Sequence, residues 1–409
     1  MLTFAYAQTS LSIPPGFPLA GFQLRDPERI PLGPSRCRVR TLVLQCDAAH
    51  HVFVLGDFLY FPAALKHRLR TGLSTLLGTS DFSLICGGTH THGGPELGFL
   101  TTPTEAEKLL DQIGRRIETS WKSFVFRHAR VRLRSVSLNG LSVRRRRRIF
   151  GKTVLAPNTH PPIADKAVFL SLEAQNAPPL LLGSYASHPV FHRSNQLSAE
   201  YIGALEDRLG ETTRLLLFQG WGGDLRPNFT TRRPVWSRGI RFGLKSMVKI
   251  LTSGAVFRDY GPAEFQAFVD RFFRALHRTA SPENIPMNAP LREGHSALWI
   301  ESQTGRTRRR LVWTVLRWSA HLVWVHANAE VFQHYQQLLE RKFPAVTFIC
   351  SGCGADNLGY LVSPQAVPQG GYEVVQPPHW NGMDAPLSVA SLQRAERELL
   401  TLVQRTLNA

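Results

Sequence analysis

The chain has 409 residues, a formal net charge of +18, 43% hydrophobic and 19% charged residues. That balance excludes a disordered polymer and allows one large α/β domain or two smaller ones. Five sparse cysteines (Cys37, Cys46, Cys86, Cys350, Cys353) exclude a disulfide framework, and the arginine-rich surplus draws the protein to anionic surfaces without naming a reaction.

The start of the chain lacks the basic and long apolar regions of a secretory signal. The expected location is the cytoplasm, unless the native start lies upstream. Residues 10–22, S-L-S-I-P-P-G-F-P-L-A-G-F, read as a strand running into a Pro/Gly turn. Residues 38–44 and 52–59 read as strands, and 63–77 have helical spacing. A short apolar run at 83–86 ends in G-G-T-H-T-H-G-G-P-E. Residues 104–129 form the longest clear helix, with Leu109, Ile113, Ile117 and Trp121 on one face. Strands follow at 131–138, 167–172, 180–185 and 215–218, the last ending in Q-G-W-G-G-D. The arginine run 144–148 is the one extreme charge block, and 232–262, rich in Arg, Pro and Gly, reads as an insertion or loop. The longest apolar stretches, such as 311–325, are broken by Arg317 and His321, so none reads as membrane-spanning. Strands at 322–326 and 346–350 and an amphipathic helix at 389–407 complete the set. No internal repeat and no linker show. The recurring order of apolar strand, glycine-rich turn and helix predicts a single layered α/β domain with mixed sheets over 1–409.

Chemistry concentrates at strand ends. His90 and His92 flank Thr91, so on extended backbone both imidazoles face one way. Histidine is a common zinc ligand, and a catalytic zinc usually takes three protein ligands and a water. An HxH pair alone is a weak signal, and a capped core histidine is the bland alternative for His188 in Y-A-S-H-P-V. Two histidine-bearing strand ends make a shared metal the better reading. Glu330, in H-A-N-A-E-V-F, would add a carboxylate; its alternative is a first-turn acid at a helix start. Asp224, after a glycine turn, could orient a metal-bound histidine or simply cap the turn. Cys350 and Cys353 form one CxxC with no second pair to complete a structural zinc site.

Taken in order, T-H-T-H-G-G-P, Y-A-S-H-P-V, G-G-D-L-R-P-N, A-N-A-E-V-F and D-N-L-G-Y resemble the neutral, non-lysosomal ceramidase family and its bacterial relatives. The resemblance spans most of the chain. It implies that family's catalytic fold and one Zn2+ held by His90, His188, Glu330 and Tyr360. It also implies that His92 lies beside the metal, that Tyr372 stabilises the oxyanion, and that an arginine from the 144–148 run, Arg144 or Arg145 among them, lines the pocket. Asn228 would contact substrate.

Three departures bear on the substrate. Arg226 stands where the family has a serine important for ceramide hydrolysis, Gly93 replaces another serine, and the chain leaves no room for the family's C-terminal immunoglobulin-like domain. An arginine at 226 predicts a catalytic-site contact to a carboxylate, phosphate or sulfate. The implied activity is hydrolysis of an amide in a lipid, ceramide-like or anionic, by metal-activated water. Ester, lactone or phosphoester hydrolysis at the same centre stays open, as does a non-enzymatic basic protein on anionic lipid. Peripheral contact with an anionic membrane is expected; nucleic acid is not.

Overall fold

The computed structural model describes residues 2–22, 36–97, 103–160, 163, 165–236, 239–278, 282–286 and 291–409. Its sheets are mixed, and the three largest are built by the same run of chain. In the first, Leu2–Ser10, Arg38–Cys46 and Ala49–Gly56 pair antiparallel in turn. The helix Ala63–Leu77 then carries the chain back, and Phe82–Gly88 joins parallel to Ala49–Gly56. In the second, Arg130–Ser137, Lys166–Glu173 and Leu180–Tyr185 pair antiparallel. The helix Glu200–Leu209 leads to Arg214–Gln219, which lies parallel to Leu180–Tyr185. The third repeats the order with Arg292–Glu301, Arg308–Ser319, Leu322–Ala327, the helix Gln333–Lys342 and the parallel strand Thr347–Ser351. Parallel neighbours cannot be joined by a tight turn, so each pair needs its crossover helix.

The strands of the parallel pairs are mostly apolar, and L-L-L-G-S-Y and L-V-W-V-H-A are buried at every residue, because both of their faces are covered. One aromatic from each sheet meets the others in a shared core. The ring of Trp324 lies 5.2 Å from Phe53 and 5.3 Å from Phe218, edge to face. This packing brings the carboxyl ends of the three parallel pairs together. Gly352 N–H donates to Gln219 O at 2.9 Å, and Gly88 N–H donates to Cys353 O at 3.0 Å, tying one unit to the next.

The sequence pattern and the structure differ in several places. The first strand is Leu2–Ser10, and most of 10–22 is irregular, pinned to the histidine loop by Ala20 N–H on Gly94 O at 2.9 Å. The long helix is Pro103–Ser120, shorter than its apolar spacing predicts. The arginine run lies in the strand Ser142–Ile149, paired with Lys152–Asn158 and with Leu225–Pro227. The stretch expected as a loop contains the helix Ile240–Ser253, and a further helix, Pro262–Arg278, follows it. A repeat that no residue pattern announces is present as topology. Among the described residues, no helix is long and apolar enough to cross a membrane.

Candidate metal centre

Each unit supplies side chains from the carboxyl ends of its parallel strands, where a packed sheet leaves an opening. In the first unit, Phe82–Gly88 runs directly into His90, whose φ of 62° is left-handed and uncommon for a non-glycine residue. The ring is fixed from behind by Nδ1 on Leu59 O at 2.9 Å. In the second unit, His188 follows Leu180–Tyr185, and its Nδ1 lies 2.9 Å from Gly222 O. In the third, Glu330 and Tyr360 are register partners in a two-residue parallel ladder, Glu330–Val331 with Tyr360–Leu361. Glu330 is therefore not a first-turn helical acid; the next helix begins at Gln333 with no acid in its first turn.

A carbonyl oxygen can only accept, so both histidines carry their proton on Nδ1 and turn the Nε2 lone pair inward. His90 Nε2 lies 3.1 Å and His188 Nε2 3.0 Å from the same oxygen, Glu330 Oε2. The Tyr360 hydroxyl is 3.2 Å from His188 Nε2. Lone pairs facing a carboxylate at this range repel unless a cation or a proton lies between them. Ligand atoms about 2 Å from a zinc ion would stand roughly 3.3 Å apart in a tetrahedron, so the observed spacing and donor types suit such an ion. His92 adds a third imidazole: one ring nitrogen from each of His90, His92 and His188 falls within 4.8 Å of the others.

The electrostatics keep Glu330 ionised and His92 and His188 neutral. Burial opposes charging His90, yet Cys353 and Glu330 beside it raise its pKa well above the ordinary value. Burial and Arg145 bring His188 down to about 4. Burial would raise the Glu330 carboxyl, but His90 and His188 hold it well below its usual range. Burial, reinforced by the neighbouring His90 and His188, keeps His92 neutral.

Arg145 is the arginine of the run that reaches the centre. Its Nη2 donates to the Tyr360 hydroxyl at 2.7 Å and to Gly223 O at 2.9 Å, while Nε donates to Glu373 Oε1 at 2.9 Å. Tyr372 stands with its ring centroid 6.3 Å from that of Tyr360, and burial pushes its phenol up to about 12.

The other expected site residues stand elsewhere. Asp224 orients no histidine, because backbone carbonyls already hold both Nδ1 atoms. Its carboxylate instead caps the helix at Gln333 N–H (2.9 Å) and pairs with Arg144 Nη1 at 2.9 Å. Arg144 is thereby held one layer back from the centre. Asn228 donates to Gly140 O at 3.0 Å and is half-buried. Arg226 is taken up by Tyr260: Nε donates to its hydroxyl at 2.8 Å, and the guanidinium lies 4.2 Å over the Phe257 ring. The expectation that it meets an anionic substrate at the centre loses its geometric basis. Gly93 has a steric reason to depart from serine, since a Cβ there would stand 2.9 Å from Ser198 O and from the His192 ring.

Three residues to which the sequence assigns no role at the centre also belong to the surroundings. The Tyr60 hydroxyl donates to Glu330 Oε1. Glu373 receives both Arg145 and Arg146, the latter at 2.6 Å. The Cys353 thiol lies in hydrogen-bond reach of His90. Tyr60 and Cys353 each follow the end of a parallel strand, as His90 and His188 do, and that position was the signal available for them.

No family model matches the chain, and no curated protein does. Solved structures do match. The crystal structure of neutral ceramidase from Pseudomonas aeruginosa superposes with a TM-score of 0.68 at 13% identity, over 98% of this chain and 74% of that one. A ceramidase complexed with C2 gives 0.66 at 12% identity, over 97% and 74%. At that identity the likeness speaks for architecture alone: this chain has the mixed α/β fold of the neutral ceramidases.

Proposed function

We propose that this chain is a zinc-dependent hydrolase that cleaves the amide bond of an N-acyl lipid. The observation that carries the reading is the convergence of His90 Nε2 and His188 Nε2 on one oxygen of Glu330, with Tyr360 adjoining. Two imidazoles, a carboxylate and a phenol suit zinc. A zinc ion held by His90, His188, Glu330 and Tyr360 would lower the pKa of a bound water and polarise the scissile carbonyl.

The chain's own residues supply the rest. His92, kept neutral by burial, takes the proton of the attacking water and returns it to the leaving amine. Tyr372 keeps its proton at neutral pH and donates a hydrogen bond to the carbonyl oxygen as negative charge builds there. Burial pushes the Tyr360 phenol well up, and the Arg145 guanidinium on its hydroxyl opposes that rise, in the direction of the phenolate form in which a tyrosine ligates. The likeness of the fold to ceramidases supports an amide with an acyl chain. Since Arg226 is engaged by Tyr260, the reading requires no anionic head group.

The test is elemental analysis of the purified chain together with hydrolysis assays on an N-acyl sphingosine, its acyl ester analogue and a phosphoester. The expected result is stoichiometric zinc and amide cleavage that a chelator abolishes and zinc restores. A chain without bound zinc, or one that cleaves only the ester or the phosphoester, overturns the proposal.

A further inference from the structure

The helix Ile240–Ser253 is amphipathic with its large apolar side facing away from the protein. Its small residues face in: Gly243 and Ser246 are buried, a Cβ on Gly243 would stand 1.9 Å from the Trp236 ring, and Ser246 Oγ accepts Val235 N–H at 2.9 Å. Its large residues face out. Ile240 is 74% exposed, Leu244 48%, Val248 56% and Leu251 80%, and their spacing sets them on one stripe. Arg241, Lys245 and Lys249, each four residues from the next, run along one flank of that stripe.

Two neighbours extend the surface. Trp236 is half-exposed beside the helix. Phe150, at the tip of the hairpin joining Ser142–Ile149 to Lys152–Asn158, is 88% exposed. Lys249 Nζ donates to Leu155 O at 3.0 Å and ties the helix to that hairpin. The whole stretch between Asp224 and Asp259 contains no aspartate or glutamate, while Arg232, Arg233 and Arg258 add to the helix's own cations.

We infer that this surface is where the chain lies on an anionic lipid bilayer. The helix sits in the interface plane, the Ile240 to Leu251 stripe faces the acyl chains, and Arg241 and Lys245 face lipid phosphates. The charge decides among occupants. A second copy would set one basic flank against another on chains that each carry +18. A nucleic acid would match the cations and leave the exposed apolar stripe without a partner. The strand that leads to Phe150 also carries Arg145, so the bilayer contact and the metal centre share one hairpin. Delivery of a lipid to the centre rests on the proposed function; the bilayer contact does not, and its test reads binding without turnover.

The test is co-sedimentation of the full chain with vesicles of phosphatidylcholine alone and with vesicles of equal phosphatidylcholine and phosphatidylglycerol. The chain should bind the second and not the first, less so as salt rises. Leu244→Glu with Leu251→Glu should abolish binding while thermal melting and zinc content stay unchanged. Arg241→Gln and Lys245→Gln should each weaken partition about fivefold, and they decide the matter should the leucine pair disturb the fold. Equal binding to neutral vesicles, or binding indifferent to both sets of substitutions, overturns the inference. A stable dimer that Leu251→Glu disperses also overturns it, by assigning the stripe to a second copy.

Discussion

Tyr60 shows how much one side chain can decide at this centre. Its hydroxyl holds the Glu330 oxygen that does not face the histidines, so the carboxylate has one orientation to offer a cation. Removing such a partner typically costs ten- to a hundredfold in metal affinity. Tyr60→Phe should therefore weaken zinc by about that factor in a chelator competition, with the melting temperature of the metal-free chain nearly unchanged. Equal affinity in the two proteins would reduce Tyr60 to a space-filling role. Gly93→Ser tests the opposite demand, for absence of a side chain. The new Cβ meets a backbone oxygen and the His192 ring at 2.9 Å, so unfolding should become easier by about 1–3 kcal/mol, read from the denaturation midpoint. At this scale the motifs made His90, His188, Glu330 and Tyr360 legible, because each stands in a short string with its own glycine, proline or asparagine. Tyr60 stands in no such string, and the glycine-flanked Cys353 reads as half of an incomplete CxxC and not as a neighbour of His90. The direction of Arg226 was not legible either, since it is set by Tyr260, a residue from a separate segment.

Between elements, the first two units are clamped by a buried group of four charges. Arg40 bonds Asp57 at 2.8 Å through Nη1 and Glu206 at 3.1 Å through Nε, and Arg38 bonds Glu206 at 2.9 Å. Arg38 and Arg40 belong to a strand of the first unit, and Glu206 to the helix Glu200–Leu209 of the second. Glu206→Gln would leave buried arginine charge undercompensated, and roughly 3–5 kcal/mol of stability should be lost. The pH dependence has a definite sign. Burial would raise the Glu206 carboxyl, but Arg40 and Arg38 lower it below its ordinary 4.5. Its contribution is complete above that pH and is lost as pH falls through the lower folded value. Asp57, which burial raises, acts with the opposite sign. The chain should thus lose stability on acidification below about pH 4.5 more steeply than Glu206→Gln does, as equilibrium urea unfolding across the acid range would show.

The helix Ala63–Leu77 and the strand Leu180–Tyr185 were readable to the residue because their apolar periods are long and unbroken. The ladder that holds Glu330 is not readable, because a two-residue strand has no period. The helix Ile240–Ser253 was missed for a different reason. A pattern argument assumes that the apolar side faces the core, and this helix docks through Gly243 and Ser246 instead.

The whole molecule is three units of one connection, closed on a centre that draws His90 from the first, His188 from the second, and Glu330 and Tyr360 from the third. A ligand that bridges all three should stabilise the assembled state over the unfolded one by mass action, about 4 kcal/mol at a thousandfold excess over its dissociation constant. Zinc should therefore raise the melting temperature of the chelator-treated chain, and His90→Ala should remove most of that shift. An unchanged melting temperature on adding zinc to the wild-type chain would show that the units hold together without it. The repeated connection could not be read from the sequence, because the units share strand order and crossover but no common string of residues. Topology is set by which apolar faces meet, as Phe53, Phe218 and Trp324 do, and local periodicity does not record such meetings.

The spread of these four side chains over three units also orders events during synthesis. A ribosome adds roughly 5–20 residues per second from the amino end, so His90 and then His188 emerge well before Glu330 and Tyr360 exist. Until the third unit has docked, the imidazoles of His90, His92 and His188 have no carboxylate or phenol among them. On the proposed function, the full donor set of two imidazoles, a carboxylate and a phenol would be assembled only at the close of folding.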